Sequence, residues 1–243
     1  MPLQRPLPPP PFTAVSPIRG RPEALSPRRL RFDLHVHSSY SDDGRDGVEK
    51  ILDVALRRRL DGISITDHDT LEGSFAARRL VEEKGLNLVV VLGAEVSTSE
   101  GHLLALGIEE LPLIGRSPEE TIEAIHGQGG IAIVPHPYHL FRHAIFRIPD
   151  CDAVEVYNSK HLLGVANAWA RRKAKRRGLP MVAGSDAHIA DTVGLGVTVI
   201  YAEDGDVLEA IRAGRVKIEG RRTPPWVFVG QMGRWVRRHV GWK

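Results

Sequence analysis

Residues 62–69 read Gly62-Ile63-Ser64-Ile65-Thr66-Asp67-His68-Asp69. A four-residue, mainly apolar run ends in imidazole and carboxylate side chains, and a helical pattern follows over 71–84. Short runs rich in Val, Ile and Leu read as strands buried on both faces. The same alternation extends outward in both directions. Further runs are Phe32–Val36, Leu88–Val96, Leu103–Ile108, Ile131–Val134, Ala153–Val156, Met181–Ala183 and Val197–Tyr201. Between many of them lie amphipathic stretches. Val48, Ile51, Leu52, Ala55 and Leu56 mark one apolar helix face, and comparable patterns cover 118–128, 165–177 and 206–213. Gly85, Gly129, Gly178 and Gly214 stand where these patterns end, as helix stops. Strands alternating with helices predict a parallel α/β sheet. Most strands end in a polar residue able to bind a ligand, and side chains from so many strands converge most easily in a closed barrel.

Composition narrows the class further. The chain has 243 residues with 42% hydrophobic and 26% charged residues, the balance of a globular protein with a full core. Cys151 is the single cysteine, which excludes an intrachain disulfide scaffold and suggests a reducing, cytoplasmic setting. No run approaches the roughly 18 apolar residues of a membrane-spanning helix. Nine of the seventeen prolines lie in residues 1–31, including Pro8 to Pro11. Residues 1–30 therefore read as a disordered Pro/Arg-rich leader without the apolar stretch of an export signal. Residues 31–214 read as the folded domain, and 215–243 as a basic, Trp-containing extension. Charge follows the same division. Six Arg face one Glu in 1–31, and six Arg plus two Lys face one Glu in 215–243, so against a total of +3 the middle is acidic. Basic ends suit phosphates or another anionic surface.

The candidate site residues lie where strands end. His35 and His37 are two apart on a strand and so point to one side. Asp42 follows in a turn rich in Ser, Asp and Gly. His68 lies between two aspartates, of which Asp69 is placed to cap the next helix, with Glu72 as its capping-box partner. Glu95 ends an apolar strand, where a buried carboxylate is costly without a cation. His102 stands at the start of a strand. His136 is held between Pro135 and Pro137, which stiffen its backbone. Asp186 and His188 repeat the every-other-residue spacing after Gly184-Ser185, where the backbone can approach closely. Imidazole and carboxylate donors at so many strand ends indicate a metal centre.

His35-Val36-His37, Thr66-Asp67-His68-Asp69, Gly93-Ala94-Glu95, His136-Pro137 and Gly184-Ser185-Asp186-Ala187-His188 occur in an order that resembles the PHP (polymerase and histidinol phosphatase) family. The resemblance covers about residues 32–202 and is nearest to the small stand-alone phosphoesterases. It implies a distorted (β/α)7 barrel holding two to three divalent ions at its mouth. It also implies His35, His37, Asp42, His68, Glu95, His102, His136, Asp186 and His188 as the ligands, with Glu95 bridging two ions. Mixed imidazole and carboxylate donors fit Zn, Mn or Fe.

The expected activity is hydrolysis of a phosphate monoester of a small metabolite or nucleotide by a metal-bound hydroxide, because clustered divalent ions lower the pKa of bound water and clamp phosphoryl oxygens. A 3′-to-5′ exonuclease or short-RNA nuclease, or a histidinol-phosphate phosphatase, is the alternative. A PHP module kept only for binding fits an intact ligand set least well. An amidohydrolase also begins with His-x-His, but it would usually place a bridging lysine where Glu95 stands. Arg142 and His143 could grip a phosphate oxygen. Asn158 and Ser185 could donate hydrogen bonds, and Tyr40, Tyr138 and Tyr157 could stack on a base. Six cations within Arg171–Arg177 suit a helix C-terminus as a solvated face, with nucleic acid as the second reading. Phe228, Val229, Met232, Trp235, Val236 and Val240 recur at helix spacing opposite Arg234, Arg237 and Arg238, and are expected to pack on the outside of the barrel.

Overall fold

In the computed structural model, residues 27–139, 144–161, 164–202, 205–224 and 227 are described. The short apolar runs become strands because their side chains can be covered on both faces: every residue of Gly62–Ile65 (β2) and Ile131–Val134 (β6) is buried. In chain order the other elements are β1 (Arg28–Val36), α1 (Val48–Arg57), α2 (Glu72–Lys84), β3 (Val89–Val90), β4 (Gly93–Thr98), β5 (Gly101–Leu106), α3 (Pro118–His126), β7 (Ala153–Asn158), α4 (Val165–Arg177), β8 (Met181–Gly184), β9 (Gly196–Ala202), α5 (Val207–Arg212) and β10 (Val216–Gly220). No helix among the described residues is long and apolar enough to cross a membrane.

Local chemistry sets several helix ends. Ser117 accepts from the Glu120 amide while Glu120 Oε2 accepts from the Ser117 amide, a reciprocal cap with Pro118 in the first turn of α3. Gly85 and Gly178 close α2 and α4 in the left-handed conformation. Asp69 does not cap α2. Its carboxylate instead accepts from the Ser97 amide and hydroxyl, both at 2.7 Å, tying the end of β2 to β4. The turn before α2 therefore follows a long-range tie between strands, which local pattern does not encode.

The strands form two five-stranded sheets, in the orders β10-β9-β1-β2-β3 and β4-β5-β6-β7-β8. This corrects the expected closed barrel of parallel strands. The run 88–96 breaks at Val91-Leu92, so β3 ends one sheet and β4 begins the other. β4, β5 and β6 run antiparallel in succession, as do β1, β9 and β10. Between the sheets, backbone pairing falls to isolated bridges, Val36 with Ala187 and His68 with Glu95. At the first seam the His37 amide donates to the Ala187 carbonyl and the Asp186 amide to the His35 carbonyl, each at 2.8 Å, and side-chain bonds add to them. The buried Asp33 carboxylate accepts from the Ser185 amide at 3.0 Å and the Gly194 amide at 2.6 Å. Close backbone approach adds to it: a Cβ on Gly196 would lie 2.0 Å from the Gly184 carbonyl oxygen.

One core unites the sheets: Phe32 and Leu34 of β1 pack with Leu104, Leu106, Ile131, Ile133 and Val182, with Val207, Ala210 and Ile211 of α5 beneath. The other two cores lie under the outer helices, one beneath α1 and α2 and one beneath α3 and α4. Residues 216–220, read from sequence as the beginning of an extension, form β10 on β9. Residues 1–26 and the apolar and basic tail positions 228–243 lie outside the described residues.

Candidate metal centre

Two strand neighbours start the site. The register of β1 against β2 shifts between Asp33 and Val36, and this extra residue reverses the simple alternation of faces. Leu34 can thus pack in the core between the sheets while His35 and His37 both reach Glu95 on β4, at 3.0 and 3.1 Å. Backbone strain is concentrated at the same place: Asp69, His136 and Asp186 all have positive φ, at 53°, 29° and 51°.

Hydrogen bonds around the site fix which ring nitrogens carry protons. His35 Nδ1 faces Glu155 Oε1 at 3.0 Å and donates to it. The Ser41 hydroxyl donates to Asp67 Oδ1 at 2.9 Å, so it accepts from His37 Nδ1 at 3.3 Å and from the His68 amide at 2.9 Å. Both histidines thus turn Nε2 inward, and the neutral His37 presents a lone pair there. These two nitrogens lie 3.1 Å apart, and each also faces Glu95 Oε2. In the metal-free chain a proton on His35 Nε2 holds these three atoms together, and a cation among them would take that proton's place. On the other oxygen, Glu95 Oε1 faces His102 Nδ1 and His136 Nε2, each at 3.0 Å. Asp186 Oδ1 lies 3.2 Å from His188 Nδ1 and 3.8 Å from His37 Nε2.

Eight of the nine residues expected as ligands therefore converge: His35, His37, His68, Glu95, His102, His136, Asp186 and His188. Asp42 does not. It is exposed, and Asp43 faces the cluster instead, with Oδ2 2.6 Å from His188 Nε2 and 3.5 Å from His68 Nε2. Tight turns from Ser38 to Ser41 and from Ser41 to Gly44 fold this loop. Gly44 packs so close to the Ser38 carbonyl that a Cβ would lie 1.8 Å from its oxygen. Which of two adjacent aspartates points inward depends on that backbone path. Four donor groups result: His35, His37 and Asp186; His35, Glu95 and His136; His68, Glu95 and His102; and His37, Asp43, His68 and His188. Nitrogen and carboxylate oxygen on this pattern fit borderline divalent ions.

The electrostatics agree with a cation site. Burial opposes a charge on His35, but Glu155, Glu95 and Asp186 outweigh it and hold His35 well above the ordinary imidazole range. Burial and then the nearby His188 push His37 down to about 3. Burial also works against charge on Glu95, yet His35 and the bonds from His102 and His136 keep it well below the usual carboxylate range. Asp43 is lowered against its own burial by hydrogen bonds to His188 and His68. The chain thus offers ionised carboxylates and imidazoles that are neutral or lose one proton on metal uptake.

Supporting residues complete the arrangement. Glu155 also accepts from the His136 amide at 2.8 Å and from Asn158 Nδ2 at 3.0 Å, and Asn158 donates to Asp186 Oδ2 at 3.1 Å. The Ser185 hydroxyl donates to the His35 carbonyl at 3.3 Å. Asn158 and Ser185 therefore orient ligand residues. Lys160 Nζ lies 2.9 Å from His188 Nδ1 and 3.6 Å from Asp186 Oδ1, a cation that the sequence did not single out. Asp33 could have been found as the residue two before His35 on the same strand; burial pushes it up to about 6. Arg142 and His143 lie outside the described residues. Tyr40 is exposed at the turn, and Tyr138 stands edge-on to Trp169 at 6.2 Å. The buried Cys151, its thiol pushed up to about 12 by burial, packs in the core beneath α3 and α4.

Known proteins share these features. The chain is 40% identical over 158 residues to an uncharacterised protein of Methanocaldococcus jannaschii, covering 59% of this chain and 91% of that one. Over 101 residues it is 41% identical to the phosphoribosyl 1,2-cyclic phosphate 1,2-diphosphodiesterase of Eggerthella lenta, covering 39% of this chain and 37% of the relative. Over 82 residues it is 37% identical to the 5′-3′ exoribonuclease Rnm of Salmonella typhimurium, covering 32% of this chain and 28% of the relative. The chain thus spans about a third of the length of these last two relatives. A solved two-domain protein from Bacteroides vulgatus, described as containing a predicted PHP-like metal-dependent phosphoesterase, superposes with a TM-score of 0.68 at 21% identity, over 80% of this chain and 66% of that one. Residues 33–147 match the family model of the PHP domain, and residues 164–216 match that of the PHP-associated region. Together these matches span both sheets and nearly every residue of the cluster, and the chain belongs to the PHP family.

Proposed function

We propose that this protein is a metal-dependent phosphoesterase that hydrolyses a phosphate monoester of a small metabolite or nucleotide. The observation that carries the reading is the convergence of the His35 and His37 Nε2 atoms on Glu95 Oε2, with each ring's Nδ1 proton held by an outer partner. His35, His37, Asp43, His68, Glu95, His102, His136, Asp186 and His188 would hold two to three Zn, Mn or Fe ions, with Glu95 shared between donor groups. Bound there, such ions supply Lewis acidity and lower the pKa of water. The chain's own residues do the positioning. Glu155 and Ser41 fix the His35 and His37 tautomers, and Asn158 holds Glu155 and Asp186 in one orientation. Burial of this shell keeps competing water from its hydrogen bonds.

The names of the Eggerthella and Salmonella relatives specify a cyclic phosphate and an RNA, both phosphoric esters, which supports the reaction class and leaves the leaving group to be chosen by the cleft. The lone, buried Cys151 fits a reducing, cytoplasmic setting. Protein loaded with Mn²⁺ or Zn²⁺ should hydrolyse p-nitrophenyl phosphate, and chelation should abolish turnover. His37→Ala and Asp186→Ala should each lower kcat/KM at least 100-fold while leaving the circular dichroism spectrum intact. Wild-type rates in both variants would refute the site. A substrate panel of mononucleotides, histidinol phosphate and labelled oligonucleotides, ranked by kcat/KM, then selects the substrate.

A further inference from the structure

We propose that the outer face of α4 is a docking surface for single-stranded nucleic acid, leading from the metal centre down the side of the molecule. This goes beyond the esterase reading and rests on it only for the position of the cleft. The helix carries Arg171, Arg172, Lys173, Lys175, Arg176 and Arg177, all exposed. At 100° per residue, Val165, Trp169, Arg172, Lys173 and Arg176 fall on one stripe, while Ala170 and Ala174 are the buried contacts on another side.

Cations at a helix C-terminus need no ligand, because the helix dipole favours them. Trp169 is the second observation. It lies in the same stripe, one turn before the cations, with 61% of its surface exposed. An exposed indole gives up a large burial gain, and such rings are found where one face awaits a partner. Its described aromatic neighbour is Tyr138, edge-on at 6.2 Å, and Tyr138 is two residues after His136, whose Nε2 is 3.0 Å from Glu95. Tyr138 packs against the core beneath α3 and α4, so its contact sets Trp169 beside the segment that carries His136.

Direction is set by topology. The N-terminus of α4 follows the end of β7, where Asn158 reaches Asp186, and its C-terminus leads to the far end of β8. A strand with its reactive phosphate at the cluster would lay a base on Trp169 and run its backbone past Arg172, Lys173 and Arg176. Among the described residues none of these three forms an ion pair. Arg177 pairs with Asp150 at 3.8 Å, and Arg171 turns toward a separate groove with Arg212 and Lys217. A row of cations beside an aromatic platform binds single strands by phosphate attraction and base stacking, without sequence preference.

The test uses the full chain loaded with Mn²⁺ and, so that binding is read without turnover, a fluorescein-labelled 12-mer oligouridine with phosphorothioate linkages as the probe. The wild type should bind with an affinity that falls as salt rises. Combined Arg172→Ala, Lys173→Ala and Arg176→Ala should weaken binding at least 10-fold and reduce the log–log salt slope by about 2, from roughly 0.7 per phosphate contact on single strands. Trp169→Ala should weaken it at least 5-fold, and Trp169→Phe should restore most of the loss. All of these variants should hydrolyse p-nitrophenyl phosphate at the wild-type rate once loaded with Mn²⁺. Equal oligouridine binding by wild type and variants, or none by the wild type, would overturn the docking surface while leaving the esterase reading intact. Binding of phosphatidylserine vesicles through the same residues, with none of oligouridine, would also overturn it in favour of a membrane. Loss of p-nitrophenyl phosphate hydrolysis in the stripe variants would place these residues in the cleft and refute a separate surface.

Discussion

At the scale of single residues, the site is governed by which atom of each side chain is committed elsewhere. Ser41 has one proton to give and gives it to Asp67, so its remaining capacity orients His37 and the His68 backbone. Asp43 contributes a carboxylate oxygen to the cluster, whereas Asp42 points to solvent. Asp43→Asn should therefore lower bound metal per chain and weaken metal affinity at least 10-fold. Asp42→Asn should leave both unchanged, as read by elemental analysis and calorimetric titration. The reverse pattern would restore Asp42 to the ligand set. The pH response of the metal-free protein follows from two neighbouring rings. His37, at about 3, lies below the unfolded imidazole value near 6.5. Between those values the unfolded chain binds more protons, and stability rises with pH. His35 lies above the unfolded value, so its contribution is full below about 6.5 and is lost as pH rises through its folded value. Chelated protein should be most stable near pH 6.5 in urea titrations between pH 4 and 9. A continuous rise toward pH 9 would contradict the His35 assignment.

Elements place these residues through caps, bulges and seams. The register shift in β1 turns His35 and His37 toward the second sheet, and the isolated His68–Glu95 bridge aligns two donor residues from different sheets. Asp33 does at one seam what a backbone ladder does within a sheet. Helix ends are more local. Ser117→Ala removes the hydroxyl half of the α3 capping box, leaving the residue-117 amide to donate to Glu120, and should cost about 1 kcal/mol in a urea titration, with no change in metal affinity, since α3 packs against the outer core away from the cluster. A drop in metal affinity would show that α3 is coupled to the site.

On the scale of the whole molecule, the candidate metal centre lies between two sheets whose backbones meet only at isolated bridges. The proposed ligands come from β1 and the loop after it, from β4 and β5, and from the segments that follow β2, β6 and β8, so ion binding should oppose separation of the sheets. At a free metal concentration about 100 times Kd, linkage gives about 2.7 kcal/mol. For a chain of this size that corresponds to a Tm increase of about 5–10 °C. Calorimetric scans with Mn²⁺ and with EDTA measure it, and identical Tm values under both conditions would show that the cluster does not hold a resident ion.

Helical patterns read at 48–56, 71–84 and 165–177 and apolar runs at 62–65 and 131–134 became helices and strands within a residue or so, because apolar periodicity and glycine stops act over a few residues. The sequence by itself also determined that donors of metal-ligand chemistry gather at strand ends. Tertiary structure alone decided that the sheet divides in two, that β4–β6 and β9 run antiparallel, that Asp69 ties strands instead of capping a helix, and that Asp43 turns inward where Asp42 does not. These outcomes rest on contacts between residues far apart in the chain, such as Asp33 with Gly194 and Asp69 with Ser97. No local pattern carries the energy of a hydrogen bond whose partner is fixed only when the sheets come together.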